Sequence, residues 1–146
     1  AKALGLDHAV LADDNWPEAV LDVTNGRGVD VVLDLVGGPY LEGNQKVVAP
    51  KGRHVVVGVP GGVSGTIDLR AMMGKRVTLR GTVLRARSLQ EKVELTESFE
   101  KDILPFFDEG TISPVVEKIF SPHEVGDAHN MMASNENFGK LLINWE

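Results

Sequence analysis

The chain of 146 residues contains no cysteine, which excludes disulfides and thiolate zinc sites and fits a reducing cytoplasm. It also lacks a basic excess. Fifteen Lys and Arg stand against 21 Asp and Glu, a net charge of −6 that would repel a phosphate backbone, so nucleic acid and anionic membrane surfaces are disfavoured partners. No apolar run approaches the roughly 18 residues a membrane span needs, and no charged leader with an apolar stretch and a small-residue cleavage site opens the chain. A soluble, cytoplasmic protein is the expectation. An initiating methionine is missing as well. The opening AKALGL has the composition of a last helical turn with Gly5 as its stop, yet nothing precedes it to begin that helix. The expectation is therefore a piece cut from a longer chain.

What is present is a repeating pattern. With 42% hydrophobic residues, a chain of this length can bury one sizeable core. A short strand is expected at residues 8–11. A helix follows, with Asn15 as its cap, Pro17 in its first turn and Glu18 three residues beyond the cap, running to about Thr24 and stopping near Gly26. The stretch VDVVLDLVGG begins at Val29; it is apolar at consecutive positions, which predicts a strand covered on both faces as in a parallel sheet. RHVVVGVPGG begins at Arg53, 24 residues later, and RVTLRGTVLRAR at Arg76, another 23 residues on. Each is a β-rich run ending in glycine, with room for one short helix between (39–48, then 69–74), so a β-α-β-α-β unit of parallel strands with right-handed crossovers is predicted.

Farther on, Ser88 and Glu91 form a capping box that opens a long helix, with Leu89, Val93, Phe99, Ile103 and Phe106 on one face and Pro105 bending the final turn before Gly110. Ser121 and Glu124 form another, opening a helix through Val125, Ala128, Met131 and Met132, flanked by strands at 115–120 and 138–145. From about Ser113 the chain differs in kind, because a strand-helix-strand ending need not join the sheet built before it.

In an open parallel sheet, ligands bind outside the carboxyl ends of the strands. Those ends are Val36-Gly37-Gly38, Gly58-Val59-Pro60-Gly61-Gly62 and Gly81-Thr82-Val83-Leu84. Any one of these glycines is explained by a tight turn. Three in register point to a binding edge. Neither phosphate-binding pattern is there to serve it: G-x-G-x-x-G has no match, and at Gly74-Lys75 the P-loop fails because Arg76 follows and Leu69 replaces its first glycine. Asp34, a carboxylate on a buried strand, is costly unless bonded, and so is either a functional acid or an acceptor tying down the turn amides. His8 and His54 look isolated. His123 and His129 are six apart where a zinc pair wants four, so solvated histidines are expected. One alternative is a phosphoacceptor receiver-type signalling domain with Asp34 as acceptor, since HAVLADDN resembles an acidic pair after an early strand. Only one helix fits between Asp14 and Val29, however, where a receiver needs a helix, a strand and another helix.

The segments AKALGLDHAV, GRGVDVVLDLVGG, APKGRHVVVGVPGG, KRVTLRGTVLRARS and HEVGDAHNMMASNENFGKLLINWE resemble, in order and spacing, the C-terminal part of medium-chain dehydrogenase/reductases, in the zinc-independent quinone oxidoreductase branch. The resemblance covers nearly the whole chain. It implies an α/β fold: an incomplete doubly wound (Rossmann-type) parallel sheet, plus a C-terminal strand-helix-strand belonging to the catalytic domain. Residues 1–112 would be a partial nucleotide-binding domain lacking its first two strands, and residues 113–146 would return to the catalytic domain. The strands at 8–11, 29–36, 53–59 and 77–84 would be the third to sixth of the 3-2-1-4-5-6 order.

The resemblance further implies NADPH as cofactor, no zinc, and hydride transfer to a quinone or activated alkene as small-molecule substrate. Val36 and Gly37 would lie near the ribose, and Gly58, Val59, Pro60 and Gly61 near the nicotinamide. Thr82, Val83, Leu84 and Arg85 would form the loop after the sixth strand, and Phe138, Gly139 and Lys140 a late segment that also approaches the cofactor. No catalytic side chain is assigned. Ala12 stands where many quinone oxidoreductases place a tyrosine against the adenine end. A homodimer through the sixth-strand edge is expected. Without the first glycine-rich turn and its helix N-terminus, this piece alone is expected to be inactive.

Overall fold

The computed structural model describes residues 4–135 and 137–145. The helical turn expected at the start of the chain falls largely on residues 1–3, outside that range; Gly5 does take the left-handed φ of +89° that suits a helix stop. The chain divides into two compact units, the first ending at Arg87 and the second beginning at Ser88.

In the first unit, α1 (Trp16–Val23) precedes β1 (Val29–Asp34), α2 (Leu41–Val47), β2 (Val48–Val56), α3 (Leu69–Lys75) and β3 (Thr78–Gly81). The three strands are parallel in the order β1-β2-β3, so the β-α-β-α-β rhythm of the sequence is the topology of the sheet. Residues 8–11 are not a strand. They find no ladder partner among the described residues, and an extended segment without one leaves its N–H and C=O groups to water.

β2 begins at Val48, five residues before the expected start. Its register against β1 jumps between Val29↔Val48 and Val31↔Arg53, so residues 49–52 bulge out, with Lys51 at a left-handed φ of 62°. The bulge lets Val48 and Ala49 follow Val47 into the core at the α2–β2 junction, where all three are buried. On β1 only one face is covered. Asp34 is withdrawn from water, whereas Val31, Leu33 and the following Leu35, which alternate with it, are about half or more exposed.

Asn15 is the N-cap residue of α1, but its φ and ψ of −105° and 9° turn the side chain away from the first-turn amides, and it makes no cap bond. Its own amide instead donates to Asp13 Oδ1 at 2.9 Å. Trp16 stacks on Tyr40 with ring centroids 5.4 Å apart. The same indole lies so close to Gly43 that any Cβ there would meet its Cε2 at 3.0 Å, which joins α1 to α2.

The second unit holds α4 (Leu89–Asp102), α5 (Leu104–Asp108), β4 (Val116–Phe120), α6 (Val125–Ala133) and β5 (Lys140–Ile143). The two later capping boxes form, as the one expected at Asn15 does not: Ser88 with Glu91 opens α4, and Ser121 with Glu124 opens a single 3₁₀ turn that runs into α6. Pro105 does more than bend the helix. Lacking an N–H, it ends α4 near Ile103 and sits in the first turn of α5. β4 and β5 pair in parallel as a sheet of their own, over Phe120 and Ala128, which are buried.

Candidate functional site

Parallel strands present their carboxyl ends at one edge, and backbone bonds lace the three ends here together. Val57 N donates to Asp34 O at 2.9 Å, Gly61 N to Val36 O at 2.9 Å, Gly38 N to Gly62 O at 2.9 Å and Thr82 N to Val56 O at 3.0 Å. Gly37 has φ 90° and ψ −137°, and a Cβ on it would come within 2.7 Å of Gly62 O and 2.9 Å of Val59 Cα. Only glycine allows the turn after β1 to lie against the turn after β2.

Beside this lacing a cavity of about 560 Å³ opens, lined by Val56, Val57, Gly58, Val59, Gly81, Thr82 and Val83. Of the residues expected at the site, Gly58, Val59, Thr82 and Val83 line it directly. Val36, Gly37 and Gly61 build the laced turns alongside, Pro60 lies between Val59 and Gly61, and Leu84 and Arg85 follow β3, where Arg87 Nη2 donates to Thr82 Oγ1 at 3.1 Å. Phe138, Gly139 and Lys140 belong to the second unit, where with Pro114 and Val115 they line a separate cavity of about 310 Å³. Ala12 lines a third, of about 370 Å³, with Asp13, Asp14, Trp16 and Tyr40 among its other walls.

Under the first turn lies a cluster of buried polar side chains. Asp34 Oδ1 accepts from the amides of Val36 at 2.9 Å and Gly37 at 2.8 Å. Its Oδ2 accepts from Asn44 Nδ2 at 3.0 Å and lies 3.0 Å from His54 Nε2. Burial pushes the Asp34 carboxyl up, but the Gly37 and Val36 amides, with His54 beside it, outweigh that and hold it below the usual carboxylate range. An ionised carboxylate only accepts, so His54 Nε2 carries the proton and donates. His54 is 2% exposed. The solvated histidine expected at that position is instead one of the most enclosed side chains described, whereas His8, His123 and His129 are exposed as expected. Asn44 and His54 are the residues that sequence reasoning missed. Nothing in the polar stretch at 42–46 singles out Asn44, and the one signal for His54 was its place at the head of the apolar run at 55–57. Asp34 is buried and both its oxygens are engaged, so it presents nothing to a phosphoryl donor, and the receiver reading does not fit.

A family model for zinc-binding dehydrogenases matches residues 4–143. The chain belongs to that family. It is 30% identical over 126 residues to quinone oxidoreductase-like protein 2 of Bos taurus, matching 86% of this chain and 36% of the bovine one. It is 26% identical over 149 residues to a 2-haloacrylate reductase of Burkholderia sp, matching 98% of this chain and 43% of that one. Among solved structures, an NAD-dependent alcohol dehydrogenase superposes with a TM-score of 0.80 at 29% identity, covering 99% of this chain and 40% of the other. The chain thus spans about two fifths of the length of these relatives. Its fold is that of the Rossmann-like cofactor-binding part of medium-chain dehydrogenase/reductases, a family that binds nicotinamide cofactors.

The edge described above is lined by Val56, Val57, Val59 and Val83 with Thr82, and by backbone at Gly58 and Gly81. Zinc does not fit these residues. The sequence has no cysteine, and among the described residues no group of three or more His, Asp or Glu side chains could hold a metal ion.

Proposed function

We propose that this chain forms the nicotinamide-side wall of the cofactor cleft in an NADPH-dependent reductase acting on a quinone or an activated alkene. The observation that carries the reading is the apolar cavity at the carboxyl ends of β2 and β3, continuous in backbone bonding with the glycine turn of β1. Val36 and Gly37 would take the ribose; residues 58–61 would take one face of the ring, and residues 82–85 would close the side beyond β3. Phe138, Gly139 and Lys140 are proposed as cofactor-approaching residues on the resemblance of that segment alone. Bound NADPH would supply the hydride, two electrons with one proton, and the second proton that completes the reduction of the acceptor would come from solvent. The chain's own part is to orient the ring on an apolar surface and to exclude water from it, with no side chain here acting as acid or base.

The quinone or alkene acceptor is supported by the quinone oxidoreductase-like and 2-haloacrylate reductase relatives, while the preference for NADPH rests on the resemblance to the quinone oxidoreductase branch alone. No glycine-rich pyrophosphate turn occurs in the 146 residues, so by themselves they should bind NADPH weakly. The outer edge of β3 is unpaired among the described residues, and it is proposed as the seam of a homodimer. The test is turnover by the protein produced from its complete reading frame, with NADPH and NADH each offered against a quinone and an enone. NADPH oxidation that depends on the acceptor supports the reading; binding of neither nucleotide, or transfer only between NAD and an alcohol, overturns it.

A further inference from the structure

We propose that His54 is a positioning residue for the cofactor cleft: with Asn44 it fixes one oxygen of Asp34, so that the other oxygen sets the path of the glycine turn at the end of β1. The inference rests on the reading of that edge as a cofactor cleft, and it adds a residue that never touches the cofactor.

The geometry is a relay of four links. His54 stands on β2, which pairs with both its neighbours, and the register sets it opposite Val32, two residues before Asp34 on the same face of β1. His54 Nε2 and Asn44 Nδ2 both reach Asp34 Oδ2 at 3.0 Å. They lie 3.3 Å from each other, and since both are donors they converge on the oxygen and do not bond to one another. With Oδ2 held from beneath, Oδ1 is left to the amides of Val36 and Gly37. Gly37 in turn bridges Gly62, and Val36 O takes Gly61 N, so the carboxylate rotamer determines where two of the three turns at the edge sit.

An apolar pair in place of Asp34 and His54 would fill the space under α2, but it would leave the Val36 and Gly37 amides without their acceptor. The cluster therefore specifies a turn geometry beyond its contribution to the core.

The test uses His54→Leu, which removes the donor, and His54→Gln, which keeps an N–H close to the place of Nε2. In the protein produced from its complete reading frame, hydrogen exchange at the amides of Val36 and Gly37 should quicken about tenfold or more in His54→Leu, relative to the sheet amides of β2, and return towards wild type in His54→Gln. The cofactor KM should rise in His54→Leu by a larger factor than kcat falls, with rescue again by the glutamine. Exchange that quickens evenly across the first unit, or glutamine that rescues neither readout, would reduce His54 to a packing residue and overturn the proposal. If the wild-type protein binds no nicotinamide nucleotide, the cleft reading fails, while the exchange comparison still decides between a turn-setting and a purely packing role.

Discussion

A carboxylate withdrawn from water must lose its charge or find donors, and Asp34 finds them in the amides of Val36 and Gly37 and the side chains of Asn44 and His54. Its folded-state pKa lies below its unfolded one. The stabilisation is therefore complete above the unfolded value and is lost as pH falls through the folded value, beneath the usual carboxylate range. Urea unfolding across that range should show wild-type stability falling with acid. Asp34→Asn should show a smaller fall, since Asp30 and Glu124 are also held below the carboxylate range, and should be less stable by about 2–4 kcal/mol at neutral pH. Gly37→Ala places a Cβ against backbone at a left-handed φ and should cost about 1–3 kcal/mol from strain alone, again read by urea. The acceptor role of Asp34 was legible in the sequence, because the two glycines after it announce a turn with amides to satisfy. His54 was not, since 20 residues separate it from Asp34 and only the strand register brings them together.

At the scale of elements, the glycine-ended β-rich runs spaced by short helices were enough to predict three parallel strands, and they are there. Their ends were less legible. β2 starts early because a bulge at 49–52 allows it, and no residue pattern distinguishes such a bulge from the end of a helix. Capping boxes were read correctly where a serine and a glutamate close on each other, and wrongly at Asn15, whose backbone is not in a capping conformation. The difference is measurable. Ser88→Ala should cost about 1 kcal/mol, since the hydroxyl accepts from the Glu91 amide, while Asn15→Ala should change stability by less than about 0.5 kcal/mol. A large loss at Asn15 would mean that its side chain holds the start of α1 after all.

For the whole molecule, the family was legible because the order and spacing of several segments survive even at about 30% identity. Substrate was not, because the cavity at the edge is walled largely by backbone and valine, with the Thr82 hydroxyl the one polar side chain among its lining residues. What the fold supplies is one edge where three strand ends are tied together. The most direct test is hydrogen-exchange mapping of the protein produced from its complete reading frame, with and without NADPH. Slowed exchange concentrated at the amides of Gly37, Gly58, Val59 and Gly61 and at residues 82–85 is the expected result. Bound NADPH that leaves those amides unchanged and protects another surface would contradict the assignment of this edge.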